Sequence, residues 1–224
     1  MTATLTPAEA WREMLDGNRR FVAGTPAHPH QDVSKRNELA EGQAPIATLF
    51  GCSDSRLAAE IIFDKGLGDL FVVRNAGQVI GESIVASLEY AVGILNVPLI
   101  VVLAHDSCGA VRAAIDGTAI DSAPLPAGIW KLIAPIVPAA RKVLAETGGT
   151  TPADIDAELV GRDHLRNTVA DLLHSSEMIS NAVADGRLGI VGANYRLAEG
   201  TAVPVVTVGV DTEGIASASE KGSA

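Results

Sequence analysis

Residues 99–108 read Leu-Ile-Val-Val-Leu-Ala-His-Asp-Ser-Cys. Six apolar residues in succession leave no alternation of inward and outward positions, so this strand is predicted to be covered on both faces, as strands of parallel sheets are. The run then stops abruptly at His105-Asp106-Ser107-Cys108. A second short apolar run, Ile46–Gly51, ends just as abruptly in Cys52-Ser53-Asp54-Ser55-Arg56. In an open parallel sheet ligands bind at the carboxyl ends of strands. Two strands that both end in metal-seeking or charged residues therefore fix the fold class and the place to look for chemistry.

Outward from these runs, strand and helix patterns alternate. Leu57–Phe63 reads as helix, Leu70–Arg74 as strand, and Glu82–Leu95 as a helix with Ile84, Val85, Leu88, Val92 and Leu95 on one face. Helices are predicted at Cys108–Ile115, Ile129–Glu146 (broken or kinked by Pro135 and Pro138) and Arg162–Ala184, and strands at Leu188–Asn194 and Ala202–Val210. Asp116–Gly128 and Thr147–Gly161 read as loops. Ahead of the alternation, Thr6-Pro7-Ala8-Glu9 is a helix start, the Trp11/Met14/Leu15/Phe21/Val22 stripe is core or interface, and Gly24 is the stop. Thr25–His30 reads as a mobile stretch, followed by a short helix ending near Gly42. The predicted architecture is α/β: a mostly parallel central sheet flanked by helices, one domain over 1–224, with an N-terminal helical arm at 1–42 and a flexible tail at 212–224.

The 224 residues, 47% of them hydrophobic, suffice for one sizeable core and exclude disorder of the whole chain. A net charge of −10 with no compensating basic run argues against nucleic acid and against anionic membranes. Charged residues from Glu9 to Asp16 interrupt any signal peptide, and no apolar stretch is long enough to span a bilayer, so the chain reads as soluble and cytoplasmic. Two cysteines make no disulfide framework, leaving Cys52 and Cys108 as free thiols.

Taken singly the pieces are ordinary: a cysteine after a strand packs as a small hydrophobe, and Asp54 with Arg56 suits a common turn. Together they place two thiols, an imidazole, a carboxylate and a guanidinium at two strand ends. If those strands are neighbours, Cys52, His105 and Cys108 give Zn²⁺ the nitrogen and sulfur donors it prefers and leave one tetrahedral position open, which describes a catalytic rather than a structural site. Arg56 can hold Asp54 bidentately and so withdraw it from the metal. Two thiolates cancel the charge of the ion, so bound water should be less acidified than in a three-histidine site. His28 and His30 read as a solvated loop, and His164 and His174 as packing or surface. Gly66, Gly68 and Gly77 form no dinucleotide fingerprint.

Cys-Ser-Asp-Ser-Arg at 52–56, Phe-Val-Val-Arg-Asn at 71–75, Glu-Tyr-Ala-Val at 89–92 and His-x-x-Cys-Gly at 105–109 resemble the β-class carbonic anhydrases, strongly over 43–115 and loosely elsewhere. The resemblance implies one zinc per chain on Cys52, His105 and Cys108, an Asp54–Arg56 catalytic dyad, and reversible hydration of carbon dioxide to bicarbonate by zinc-bound hydroxide. It implies a substrate cleft lined by Gln43, Phe71, Ala76, Tyr90 and the Gly109 backbone, with Ala76 standing where a larger Val is common. It also implies a homodimer or homotetramer with clefts at the subunit boundary. Gln43 matches the readily open group of relatives. Leu49 stands where the bicarbonate-inhibited group has Trp, while Arg74 and Tyr195 resemble the other members of that inhibitory pocket. Three other readings stay open on the residues alone: a carbonyl sulfide or carbon disulfide hydrolase, a non-catalytic zinc protein closed by Asp54, and a cysteine redox protein.

Overall fold

The structure is a computed structural model that describes residues 5–119 and 121–211, so the tail expected at 212–224 lies outside the described residues. Thr6 caps helix α1 (Pro7–Val22): its hydroxyl accepts from Glu9 N while the Glu9 carboxylate accepts from Thr6 N, and Pro7 sits where no backbone donor is needed. Helix α2 (Val33–Glu38) and a 3-10 turn (Leu39–Glu41) precede strand β1 (Ala47–Cys52). There follow α3 (Ala59–Ile62), β2 (Leu70–Asn75), α4 (Glu82–Gly93), β3 (Leu99–His105) and α5 (Gly109–Asp116). The chain continues with α6 (Ala127–Ile133), α7 (Val137–Thr147), α8 (Ala157–Ser175), α9 (Glu177–Ala184), β4 (Gly189–Arg196) and β5 (Thr201–Val208).

Among the described residues the sheet has five strands in the order β2-β1-β3-β4-β5, parallel throughout except that β5 returns antiparallel to β4. The chain leaves β1 towards β2 on one side and resumes at β3 on the other. The direction of winding therefore reverses between β1 and β3, the crevice where such sheets take their ligands. Side chains alternate between two buried layers. Leu49, Val72, Val101, Leu103 and Val191 face α1, α3, α5 and α7, whereas Phe50, Val73, Ile100, Val102 and Ile190 face α4, α8 and α9. Both faces being covered is why β1 and β3 are wholly buried and almost entirely apolar, Thr48 being satisfied by donating to Phe71 O.

The Trp11–Met14 stripe of α1 packs into this chain's own core, both side chains being fully buried. Asn18 fastens the helix to its neighbours: its amide donates to Ile62 O and Gly200 O and accepts from Ala202 N. Gly17 permits that approach, since a Cβ there would lie 1.8 Å from Phe63 O.

Three expectations change. Residues 25–30 are tied down rather than loose, because buried Asp64 accepts from Ala27 N, His28 N and Arg20 Nε, and Asp69 pairs with His30 Nδ1 at 2.8 Å. The segment read as a loop up to Gly161 becomes helical at Ala157, since Asp156 accepts from Glu158 N and Leu159 N as an N-cap. The helix expected over 162–184 is two helices divided at Ser176, whose hydroxyl caps α9 through Ile179 N and donates to Glu89 Oε1. Pro135 and Pro138 do break the helix expected over 129–146, into α6, a 3-10 turn and α7. Pro204 is accommodated on the edge strand β5, beside a register shift at Gly192/Ala193.

Candidate metal centre

Cys52 is the last residue of β1 and His105 the last of the adjacent strand β3; Cys108 follows three residues later as the N-cap of α5. The two Sγ atoms and a ring nitrogen of His105 lie within 4.8 Å of one another, and all three residues are buried. The imidazole is oriented from behind: Nδ1 stands 2.8 Å from the Asp106 carbonyl, which can only accept, so Nδ1 carries the hydrogen and Nε2 presents its lone pair. Nε2 has no hydrogen-bond partner, and only one other buried side-chain atom among the described residues shares that condition. An orphaned, buried lone pair between two thiols is a poor arrangement for a core and a suitable one for a cation. The donor set thus fits a metal of the zinc type.

The sulfurs are unequal. The Cys108 thiol donates to Cys52 and is the main cause of a Cys52 pKa of about 4; burial opposes the shift, while His105 and the backbone N–H groups of Gly77 and Asp54 assist it. The same hydrogen bond, with burial, pushes Cys108 up. For His105 burial resists charge, but the neighbouring Cys52 sulfur prevails and its pKa rises. Cation binding at this pair would release thiol protons, as thiolate ligands require.

Asp54 stands beside the three donors without joining them. Oδ1 accepts from Arg56 Nε at 2.8 Å and from Arg56 N at 2.9 Å, and Oδ2 accepts from Arg56 Nη2 at 2.6 Å. Oδ2 also lies 3.9 Å from His105 Nε2. The Arg56 hydrogen bonds hold the Asp54 carboxyl far below the usual carboxylate range. Arg74 braces the turn between these groups, donating to Cys52 O and Asp54 O. Asp106 orders the other turn by accepting from Leu197 N. Leu49 and Tyr195 are buried in the layer facing α1 and α5.

The five residues expected to line a substrate cleft fall in two groups. Ala76 adjoins Gly77, which touches Cys52, and Gly109 follows Cys108; both are exposed at the metal end of the sheet. Phe71 pairs with Thr48, four residues below the Cys52–Asn75 rung, or about 13 Å along the strand at ~3.3 Å per residue. Its ring lies 6.0 Å from that of Tyr90 on α4, and Gln43 precedes β1 by four residues beside Lys35, Gly68 and Asp69. Within one chain, then, Gln43, Phe71 and Tyr90 stand at the amino end of the strands, away from the thiols. His28 and His30 are exposed and belong to the Asp64/Asp69 loop, not to the metal cluster. The residue that sequence reading passed over is Gly77, whose N–H donates to Cys52 Sγ at 3.3 Å; its φ of +80° is invisible in the sequence beyond the glycine itself.

A mostly parallel sheet whose switch point presents two thiols and an imidazole beside an Asp–Arg pair defines an α/β protein with a candidate metal centre. Residues 47–202 match the sequence profile of the family described as carbonic anhydrase, and the chain belongs to that family. It is 51% identical over 201 residues to carbonic anhydrase 2 of Mycobacterium tuberculosis, covering 88% of this chain and 92% of that protein. It is 33% identical over 197 residues to a carbonic anhydrase of Pseudomonas aeruginosa, covering 84% of each. The fold is that of the β class. A β-carbonic anhydrase of Aspergillus fumigatus superposes with a TM-score of 0.68 at 24% identity, over 91% of this chain and 93% of that one. One of two tetrameric β-carbonic anhydrases of Sordaria macrospora gives 0.67 at 24% identity, over 88% and 98%. The resemblance read from the four motifs is borne out, and so is the α/β class.

Proposed function

We propose that the protein catalyses the reversible hydration of carbon dioxide to bicarbonate and a proton, with one zinc ion per chain held by Cys52, His105 and Cys108. The observation that carries this reading is the convergence of those three donors within 4.8 Å, next to an Asp54 that Arg56 keeps to itself. When bound, zinc supplies a Lewis acid that lowers the pKa of water from 15.7 towards about 7. The remaining work falls to this chain's own residues. Arg56 keeps Asp54 ionised and engaged, so that it would not serve as a further ligand. Asp54 Oδ2, facing the donors, accepts a hydrogen bond from the attacking oxygen and orients it. Ala76 and the Gly109 backbone form the near wall of the cleft. A second copy, in a homodimer or homotetramer, contributes Gln43, Phe71 and Tyr90 as the far wall: an apolar surface for an uncharged gas, with one amide for a bicarbonate oxygen. Support for an assembly comes from the separation of these residues within one chain and from the tetrameric relatives of Sordaria macrospora. Free thiols suit the reducing cytoplasm as the working compartment.

Neither a sulfur-substrate hydrolase nor a closed structural zinc site is favoured, since the relatives above are carbonic anhydrases and Asp54 is engaged elsewhere. Metal content by mass, with carbon dioxide hydration and carbonyl sulfide hydrolysis rates on one preparation, tests the reading. One zinc per chain and dominant carbon dioxide hydration are expected; a zinc-free active protein, or faster carbonyl sulfide turnover, would overturn it.

A further inference from the structure

Cys52 Sγ accepts a hydrogen bond from Gly77 N, and Gly77 is an awkward residue to hold. Its φ is +80° and that of Gln78 is +41°, so two successive residues occupy the left-handed region, at a cost for the second that the surroundings must offset. A Cβ on Gly77 would meet the Ala110 Cβ at 2.8 Å, so the residue is kept side-chain-free against α5 and is flexible in proportion. The turn is pinned from α8. His164 Nε2 lies 2.8 Å from Gly77 O; one helical turn later the Thr168 hydroxyl bonds mainly to His164 O at 2.9 Å, with Gln78 O farther off at 3.4 Å. His164 is 4% exposed, and because its Nε2 faces a carbonyl, that nitrogen carries the hydrogen. A buried imidazole aimed across 87 residues of sequence at one carbonyl is more than packing requires.

We infer that His164 is a positioning residue of the metal centre: by anchoring the Gly77 carbonyl it keeps the Gly77 N–H directed at Cys52 Sγ. The inference rests on the metal reading above. A thiolate that accepts a hydrogen bond donates less charge to its metal, which then remains the stronger Lewis acid. Freed from His164, Gly77 turns its N–H aside and Cys52 becomes the more electron-rich ligand.

Replacement of zinc by Co²⁺ in the full chain gives a readout independent of turnover, the sulfur-to-cobalt charge-transfer band. In His164→Leu, and in His164→Asn, whose amide is too short to reach Gly77 O, the band is expected to move to longer wavelength. The pH midpoint of kcat/KM should rise, with kcat/KM at pH 7 falling by roughly tenfold, the lower range for losing an outer partner of a metal ligand. His164→Gln, which places a donor where Nε2 stood, should return both readouts towards wild type. Leu172→Ala, a buried truncation further along α8, should lower the melting temperature and leave both unchanged. Should His164→Leu fail to fold, the His164→Asn and His164→Gln pair decides. Coincident cobalt spectra for His164→Asn and wild type, or an equal shift in Leu172→Ala, would overturn the inference. Failure of the wild type to take up Co²⁺ or Zn²⁺ would instead refute the metal reading beneath it.

Discussion

Asp54 and Arg56 form a closed clamp: both carboxylate oxygens meet the guanidinium, at 2.8 and 2.6 Å, and the Arg56 backbone N–H adds a third contact to Oδ1. The clamp is local, spanning two residues, and Arg74 braces the turn that carries it through Cys52 O and Asp54 O. Its importance lies in what it prevents, because Oδ2 is only 3.9 Å from the His105 nitrogen aimed at the metal position.

Arg56→Ala should therefore leave zinc bound while lowering kcat by roughly 10–100-fold, the usual range for outer partners of a metal site. A freed Asp54 competes for the open position, so the remaining activity should need higher pH than wild type, whose own rate should rise with pH above neutrality. Metal analysis and pH–rate profiles on the same samples check this. Loss of zinc, or profiles flat from about pH 6 to 9, would contradict it.

Asp64 is a carboxylate whose task is structural. Its side chain is almost fully buried and holds residues 27 and 28 and Arg20. Burial works against its charge, yet the N–H of Ala27, the Arg20 guanidinium and the N–H of His28 lower its pKa on balance. Because the folded value is depressed, the stabilisation is present above an unfolded pKa of about 3.9 and is lost as pH falls through the folded value. Asp64→Asn should cost about 2–3 kcal/mol at pH 7, as charge-assisted bonds to a buried acceptor do. The difference from wild type should shrink below about pH 4 in denaturant titrations.

Zinc should be worth stability as well as activity. Cys108 and the unpartnered Nε2 of His105 are buried side by side. At zinc about 1,000-fold above its Kd the folded state gains about 4 kcal/mol, or roughly 10 °C for a chain of this size. Calorimetry with and without a chelator measures it. Cys52→Ser and Cys108→Ser should abolish the difference.

The proposal that two copies share the cleft is tested by mixing. Cys108→Ala and Tyr90→Ala chains should each be nearly inactive alone. Coexpressed, they should form mixed assemblies in which an intact metal end meets an intact Gln43–Phe71–Tyr90 end, and activity should return. No recovery in mixed assemblies isolated by tag would contradict the two-copy cleft.

The sequence announced the metal centre because its parts are chemically loud: continuous apolar runs end in Cys52 and His105, and both faces of β1 and β3 are buried as such runs require. Less was legible where tertiary contacts decide. The start of α8 depends on the Asp156 cap and the α8–α9 break on Ser176, residues that elsewhere sit in loops and helices alike. His30 and Asp64 fix a stretch whose composition suggested mobility, through partners some 35–45 residues away that no periodicity reveals. The separation of Phe71 and Tyr90 from Cys52 follows from strand register, which local patterns do not encode.

Zinc K-edge X-ray absorption on the purified protein at pH 8 addresses the central claim most directly. Two sulfur scatterers at about 2.3 Å with two lighter ones at about 2.0–2.2 Å are expected, one light scatterer being exchangeable solvent. A shell of light atoms alone, or zinc retained with the same shell in Cys52→Ser and His105→Ala, would contradict the account.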